Sequence, residues 1–578
     1  MRRLTIYLKN YKKECVLAPL FKMLEAVFEL TVPIVIARLI DKGIGEGASP
    51  VIAGSFALLV VLAAVGLTVS ATAQYFAAKA ATGFAKELRH DLFEHIMSFG
   101  FPEIDDIGTS TMITRMTVDA NTLQNGVNMF LRLFLRSPFI VAGAMIMAFT
   151  IDPVSALVFV AVIAVLSLIV AIIMKTNIPL LKNAQKKLDD ILYLVRENLS
   201  GARVIRAFTL EDEQIRNFED NNQSLTGTML HAGRVSALLN PLTYVCVNTA
   251  IAALIIVGGI RIDAGILTTG LVVALYNYMS QILIELIKFA NLIVIMNRSL
   301  ASAARVNEIF DRTSSMDDGR IVTPNESGST TAAVEFSDVS LKYSEGADDA
   351  ISNVSFKIPK GETFGIIGGT GAGKTSVASL IPKFYDATAG RVLINGVDVK
   401  DMEVNALRSR IGIVMQSAVM FEGTIRDNLK WGNENASDDE IMEAVNTAVC
   451  KDVVDAKGGL DALIEAQGRN LSGGQRQRLS IARVLLQKPE ILILDDSSSA
   501  LDHITDQKLR NNIAALSYDP TVIIIAQRAI SVKDCDNILV LDDGRVVGYG
   551  THDQLLKDCD IYREIYDSQD YGDVAEDN

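Results

Sequence analysis

Gly368-Gly-Thr-Gly-Ala-Gly-Lys374-Thr375 is the stretch on which the reading of this chain turns. It follows an apolar segment, Thr363–Ile367, with the pattern of a strand, and it opens Ser376–Ile381, with the pattern of a helix. A strand, a glycine-rich loop and a helix start are the context a P-loop needs. Glycines let successive backbone N–H groups close around phosphate oxygens, and the helix N-terminus adds a favourable field. Lys374 is placed to reach the β and γ phosphates, and Thr375 to coordinate Mg²⁺. Gly368, Thr370, Gly371, Gly373, Lys374, Thr375 and Ser376 are therefore the first candidate nucleotide contacts.

Working outward, Ile491-Leu-Ile-Leu-Asp495 reads as a buried parallel strand ending in a carboxylate. The carboxyl end of such a strand is where α/β folds bind ligands. Asp495 is thus expected to hold Mg²⁺, through water. Leu471-Ser-Gly-Gly-Gln475 places two glycines before a helix start and again offers N–H groups to an anion. Alone, that loop is an ordinary helix beginning. From about Val334 to Asp567 short strands alternate with helices, the pattern of an α/β domain.

Taken together, these motifs make the sequence resemble the ABC transporters. The likeness is to the exporter type (type IV fold), with membrane and ATPase domains fused in one half-transporter. The resemblance covers essentially the whole chain. It implies ATP and Mg²⁺ as cofactors, ATP hydrolysis coupled to transport, and a second half-transporter as partner. It makes Ser472, Gly473, Gly474 and Gln475 the signature loop and Tyr343 the aromatic that stacks on adenine. Gln416 becomes the glutamine that touches Mg²⁺, and Ser499-Ala-Leu-Asp502 the D-loop. In that family two ATPase domains pack head to tail, each ATP lying between the P-loop of one and the signature loop of the other.

Two residues depart from the family pattern. The position after the Walker B Asp normally carries Glu, which positions the attacking water; here it is Asp496. One methylene less draws the carboxylate back by roughly 1 Å, and misplacement on that scale costs on the order of 100-fold. The family's switch histidine is replaced by Gln527, whose amide donates a hydrogen bond but never becomes a cation. The expectation is a site that binds ATP on this chain's own P-loop and hydrolyses it poorly, with an intact signature loop serving a partner. This resembles the degenerate-site subunit of bacterial heterodimeric multidrug exporters. A working homodimer that tolerates both substitutions is the alternative.

The first 300 or so residues are filled by apolar stretches of spanning length, read as six helices at roughly 15–40, 52–82, 128–150, 154–174, 239–260 and 268–298. Val154–Met174 is the clearest. Basic residues before the first span (Arg2, Arg3, Lys9, Lys12, Lys13) and after the fourth (Lys175 to Arg206) place both regions, and hence both termini, in the cytoplasm. Helical periodicity at Leu188, Ile191, Leu192, Val195 and Leu199 carries helices past the bilayer. Breaks near 107–114 and 209–215 resemble coupling helices. Glu25, Glu29, Arg132, Arg136, Glu285 and Lys288 fall within spans; either they line a substrate cavity or they form ordinary interhelical pairs.

The fold class is an all-α six-helix transmembrane domain (1–312), a polar linker (313–332) and an α/β P-loop ATPase domain (333–578). Hydrophobic residues make up 49% while charged residues still reach 21%, as a membrane part joined to a polar part requires. A net charge of −14 argues against nucleic acid as a partner. Cys15, Cys246, Cys450, Cys535 and Cys559 form no CxxC pair, so neither a zinc site nor a disulfide framework is expected. The functional expectation is ATP-driven export of amphipathic small molecules, drug-like or lipid-like, across the bacterial inner (plasma) membrane. A homodimeric exporter of a specific substrate such as a peptide or lipid, or a regulatory ATP-binding subunit, are the competing readings.

Overall fold

The computed structural model describes residues 3–316, 318–322, 332–344 and 346–573, with side chains to 569. Of the expected linker, residues 317 and 323–331 lie outside the described residues. The chain divides into two compact units. The first comprises Met1–Ile96 and Ser110–Asp311; the second comprises Met97–Thr109 and Arg312–Asn578.

The first unit is helical. Its helices include α1 (Lys12–Arg38), α2 (Ser49–Met97), which runs to the unit's edge, and, after the short α3 (Phe101–Ile107) of the second unit, α4 (Ala120–Leu133) and α5 (Arg136–Ile151). They continue with α6 (Pro153–Ser200), α7 (Ala202–Ala207), α8 (Glu211–Ala237), α9 (Leu239–Asp263) and α10 (Thr269–Asp311). Among the described residues, five continuous helical segments are long and apolar enough to cross a membrane: Ser49–Met97, Thr109–Ile151, Pro153–Ser200, Glu211–Asp263 and Thr269–Asp311. The most apolar window, within Pro153–Ser200, has a mean hydropathy of 3.3 and is only 17% buried within the protein. Apolar surface left uncovered on that scale demands lipid as its solvent. The sixth expected span is the helix α1. Its 27 residues suffice in length, but Lys22, Glu25 and Glu29 interrupt its apolar run. Ala73, Ala77, Ala80, Ala81 and Ala85 line the buried side of α2, where small side chains allow close helix approach.

α6 is one helix of 48 residues. At about 1.5 Å per residue it is more than twice as long as the hydrocarbon core is thick. Its distal part pairs with α8: Ala184, Ile191 and Leu225 are buried together, with Leu188 and Val195 packed against them. The periodicity seen in the sequence is this seam, although Leu192 and Leu199 face outward. An interruption falls within each stretch that the sequence suggested. Gly108 at φ 78° separates α3 from the short helical turn Thr109–Thr114, and Thr209 at φ 52° separates α7 from α8. Helix resumes at Glu211 because Glu211, Asp212 and Glu213 fill its first turn and match the helix dipole.

The second unit holds two main sheets. β1 (Ala332–Leu341), β2 (Ile351–Pro359), β4 (Ala389–Ile394) and β5 (Val397–Asp398) form an antiparallel sheet in the order β2-β1-β4-β5. The larger sheet contains β3 (Thr363–Gly368), β6 (Ile411–Val414), β7 (Ile491–Asp495), β8 (Thr521–Ala526), β9 (Asn537–Asp542) and β10 (Arg545–Gly550), ordered β10-β9-β3-β8-β7-β6. All its pairings are parallel except β9 with β10. β7 and β8 are buried at every position, which explains their unbroken Ile, Leu and Val runs.

Segment Met97–Thr109 packs inside this second unit. Phe101 stacks on Phe384 with centroids 4.3 Å apart, and Arg408 covers the Phe384 ring at 5.2 Å. Tyr385 donates to Asp105, Arg312 pairs with Asp106 at 3.0 Å, and Glu103 accepts from the N–H groups of Gly100 and Ser315. The described part of 313–332 is also anchored: the N–H groups of Arg320 and Ile321 donate to the Asp401 carbonyl at 2.9 and 3.0 Å.

Candidate nucleotide-binding site

The strand order brings the separate motifs to one edge. The P-loop leaves the carboxyl end of β3, Asp495 ends β7, Gln527 follows β8 and Gln416 follows β6. In a parallel sheet those ends lie side by side, so residues far apart in sequence converge there. A cavity of about 380 Å³ opens at that edge, lined among others by Tyr343, Thr370, Lys374, Thr375, Asp495 and Gln527. Gly371, Gly373, Ser376, Gln416 and Asp496 complete the expected set around it, and Ala350 and Ala372 join the lining without having been read from the sequence. No chemistry-bearing side chain marks either alanine.

The P-loop is shaped by its backbone. Gly373 sits at φ 93°, and a Cβ there would come within 2.7 Å of the Ala350 carbonyl oxygen. Only glycine tolerates both constraints. Lys374 is 8% exposed, and its ammonium donates to the carbonyls of Gly368 and Gly369 at 2.8 and 2.6 Å. Burial lowers its pKa, while Asp496 and Asp495 oppose that shift. Gly368 itself does not line the cavity; it supplies the carbonyl that holds the lysine. Tyr343 donates or accepts with Ser376 at 2.9 Å and meets Tyr385 edge to face at 4.9 Å.

The two acidic residues occupy different surroundings. The Thr375 hydroxyl donates to Asp495 at 3.5 Å. Burial raises the Asp495 pKa, the Thr375 bond lowers it, and the neighbouring Asp496 raises it further. Hard oxygen donors of this kind suit Mg²⁺. Asp496 stands at φ 46°, its N–H held by the Ile525 carbonyl at 2.8 Å. Its Oδ2 accepts from the amide of Gln416 at 3.1 Å and from the amide of Gln527 at 3.3 Å. Burial raises its pKa, opposed by the Gln416 bond. Both unusual residues of the sequence therefore meet on one oxygen atom.

The remaining expected contacts lie elsewhere. Ser472 caps the helix α11 (Gly473–Leu485) by accepting from the Gln475 N–H, and Gln475 accepts in return from the Ser472 N–H. Asp502 caps His503–Ala514 by accepting from Thr505. Ser472, Gly473 and Asp502 are exposed, and none of Ser472, Gly473, Gly474, Gln475 or Asp502 lines the cavity. A Cβ on Gly474 would fall 2.8 Å from the Ala500 carbonyl oxygen, so the signature and D-loop segments adjoin. The five cysteines are free thiols.

Comparison with known proteins matches both units. Residues 15–286 match the family described as ABC transporter transmembrane region, and residues 351–499 match the family described as ABC transporter. The uncharacterized ABC transporter ATP-binding protein YfiB of Bacillus subtilis is 33% identical over 98% of both chains. An uncharacterized ABC transporter ATP-binding protein of Mycobacterium tuberculosis is 32% identical over 97% of both. Among solved structures, a bacterial Atm1-family ABC exporter with ATP bound covers 96% of this chain and 98% of its own, with a TM-score of 0.79 at 23% identity. That likeness is one of fold.

Proposed function

This chain belongs to the ABC transporter family, with its transmembrane and ATP-binding regions in one polypeptide, and on that premise we propose that it is the hydrolysis-impaired half of a heterodimeric exporter of amphipathic small molecules. Its place is the bacterial plasma membrane, with both termini in the cytoplasm. The observation that carries this reading is the environment of Asp496. Its carboxylate is one methylene short of the family's, and its Oδ2 is already engaged by Gln416 and Gln527. An acceptor so occupied is poorly placed to draw a proton from water.

The cycle follows from these parts. Lys374 and the P-loop N–H groups hold the phosphates, and Tyr343 supports the base. Thr375 and Asp495 would hold Mg²⁺, with Gln416 beside them, and the ion would supply positive charge to offset that of the phosphates. ATP favours the closed pair of ATPase domains to the extent of its differential affinity for that state. Ser472–Gln475 completes the partner's site, where hydrolysis permits reopening. The site on this chain keeps its ATP and preserves contact between turnovers.

Nucleotide recovery tests the reading. Chain mixed with radiolabelled ATP and Mg²⁺, then passed through a desalting column, is expected to release mainly ATP on denaturation. Predominant ADP would contradict an impaired site.

A further inference from the structure

Four charged residues of the membrane helices form one connected chain. Arg136, at the start of α5 and 7% exposed, donates to Glu29 on α1 at 2.8 and 2.9 Å and to Glu285 on α10 at 2.7 Å. Glu285, 3% exposed, also accepts from Ser137 at 2.7 Å and from Lys288 at 2.8 Å. The order Glu29, Arg136, Glu285, Lys288 alternates in sign. Its interior members are buried, but its two ends are open: the side chains of Glu29 and Lys288 are 41% and 44% exposed. Lys22 and Glu25, paired at 2.5 Å, extend it, because Glu25 also lies 3.9 Å from Arg136.

Both open ends face one cavity of about 320 Å³, which Arg136 and Gln281 also line. Among the described residues, Arg136 Nε and Gln281 Oε1 are buried without a hydrogen-bond partner, one a donor and the other an acceptor. Glu29 and Val32 also wall a second cavity of about 390 Å³, otherwise lined mostly by apolar residues such as Phe28, Leu59, Leu62 and Leu67. Charge and grease are thus adjacent at Glu29.

We propose that these two cavities, which share Glu29 and Val32 as walls, bind a zwitterionic amphiphile, its ammonium at Glu29 and its anionic group at Lys288, with the tail in the apolar cavity. The proposal rests on the amphiphile-export reading and names the head group. Sign balance decides it. The ion chain is neutral, and uncompensated charge within a membrane domain is costly. A singly charged ligand leaves one open end unmatched. A ligand with both charges closes the alternation into a ring. Glu285, already paired on all sides, is a positioning residue for Arg136 and Lys288.

The test uses full-length chain in nonionic detergent and three dansyl-tailed dodecyl probes, with phosphoethanolamine, primary amine or phosphate head groups. The phosphoethanolamine probe is expected to bind at least about tenfold more tightly than either singly charged probe, the worth of one charge-assisted hydrogen bond. Glu29→Gln and Lys288→Met should each remove that preference, with ATP binding unchanged as the folding control. Tighter binding of the amine or phosphate probe would overturn the zwitterion assignment and leave amphiphile export standing. Equal binding by all three, or variants that fold yet keep the preference, would likewise overturn it. Absence of binding by every probe would remove the amphiphile reading as well. Should either variant fail to fold, the ranking of probes on the unmodified chain decides.

Discussion

Asp496 and Gln527 carry most of the functional argument, and they act at one atom. Restoring the missing methylene alone leaves Gln527 donating to the lengthened carboxylate, so both positions must change together. Asp496→Glu with Gln527→His is expected to raise ATP turnover of the isolated chain by about 100-fold, read as phosphate release. Asp496→Asn, by contrast, should alter it by no more than about twofold. Lys374→Ala should abolish ATP binding by this chain, measured by fluorescent nucleotide titration, because it removes the cation between the Gly368 and Gly369 carbonyls and the phosphates. The motif residues were legible in the sequence because their spacing is local: glycines, Lys374 and Thr375 stand within one loop. The meeting of Gln416 and Gln527 on Asp496 Oδ2 was not legible, since it depends on β6, β7 and β8 lying side by side.

Elements of this fold derive their meaning from partners distant in sequence. α3 carries Phe101 onto Phe384, next to Tyr385, whose ring meets Tyr343 at the nucleotide cavity. Phe101→Ala removes an aromatic pair worth about 1 kcal/mol beyond its buried area. Its expected effect is on coupling: ATP affinity stays within about twofold while transport per ATP hydrolysed falls, measured by paired efflux and phosphate-release assays in vesicles. The start of α11 makes an opposite prediction. Gly474→Glu places a side chain against Ala500 and fills the signature loop, so it should abolish steady-state hydrolysis by the assembled pair while ATP binding at Lys374 persists. Periodicity in the sequence disclosed α6 and its seam with α8. The breaks at Gly108 and Thr209 fall in the stretches the sequence marked, but the short helix α7 lies before Thr209 rather than after it. Nor does periodicity disclose that Arg136 meets Glu29 and Glu285, residues on two other helices.

At the scale of the molecule, two units with unlike solvents share one chain, and composition already required that. The membrane unit leaves its most apolar surface uncovered, and the ATP-binding unit carries a P-loop cavity that Ser472–Gln475 does not line. A site and a signature loop that do not serve one another call for a second polypeptide. If that polypeptide were an identical copy, every site in the pair would contain Asp496 and Gln527. The most direct measurement is therefore steady-state ATP hydrolysis by the purified chain alone, in lipid nanodiscs, compared with the Asp496→Glu, Gln527→His form. The account predicts turnover about 100-fold below the enzyme median of roughly 10 s⁻¹ for the unmodified chain, recovered in the double variant. Turnover near 10 s⁻¹ by the unmodified chain, abolished by Asp496→Asn, would contradict it.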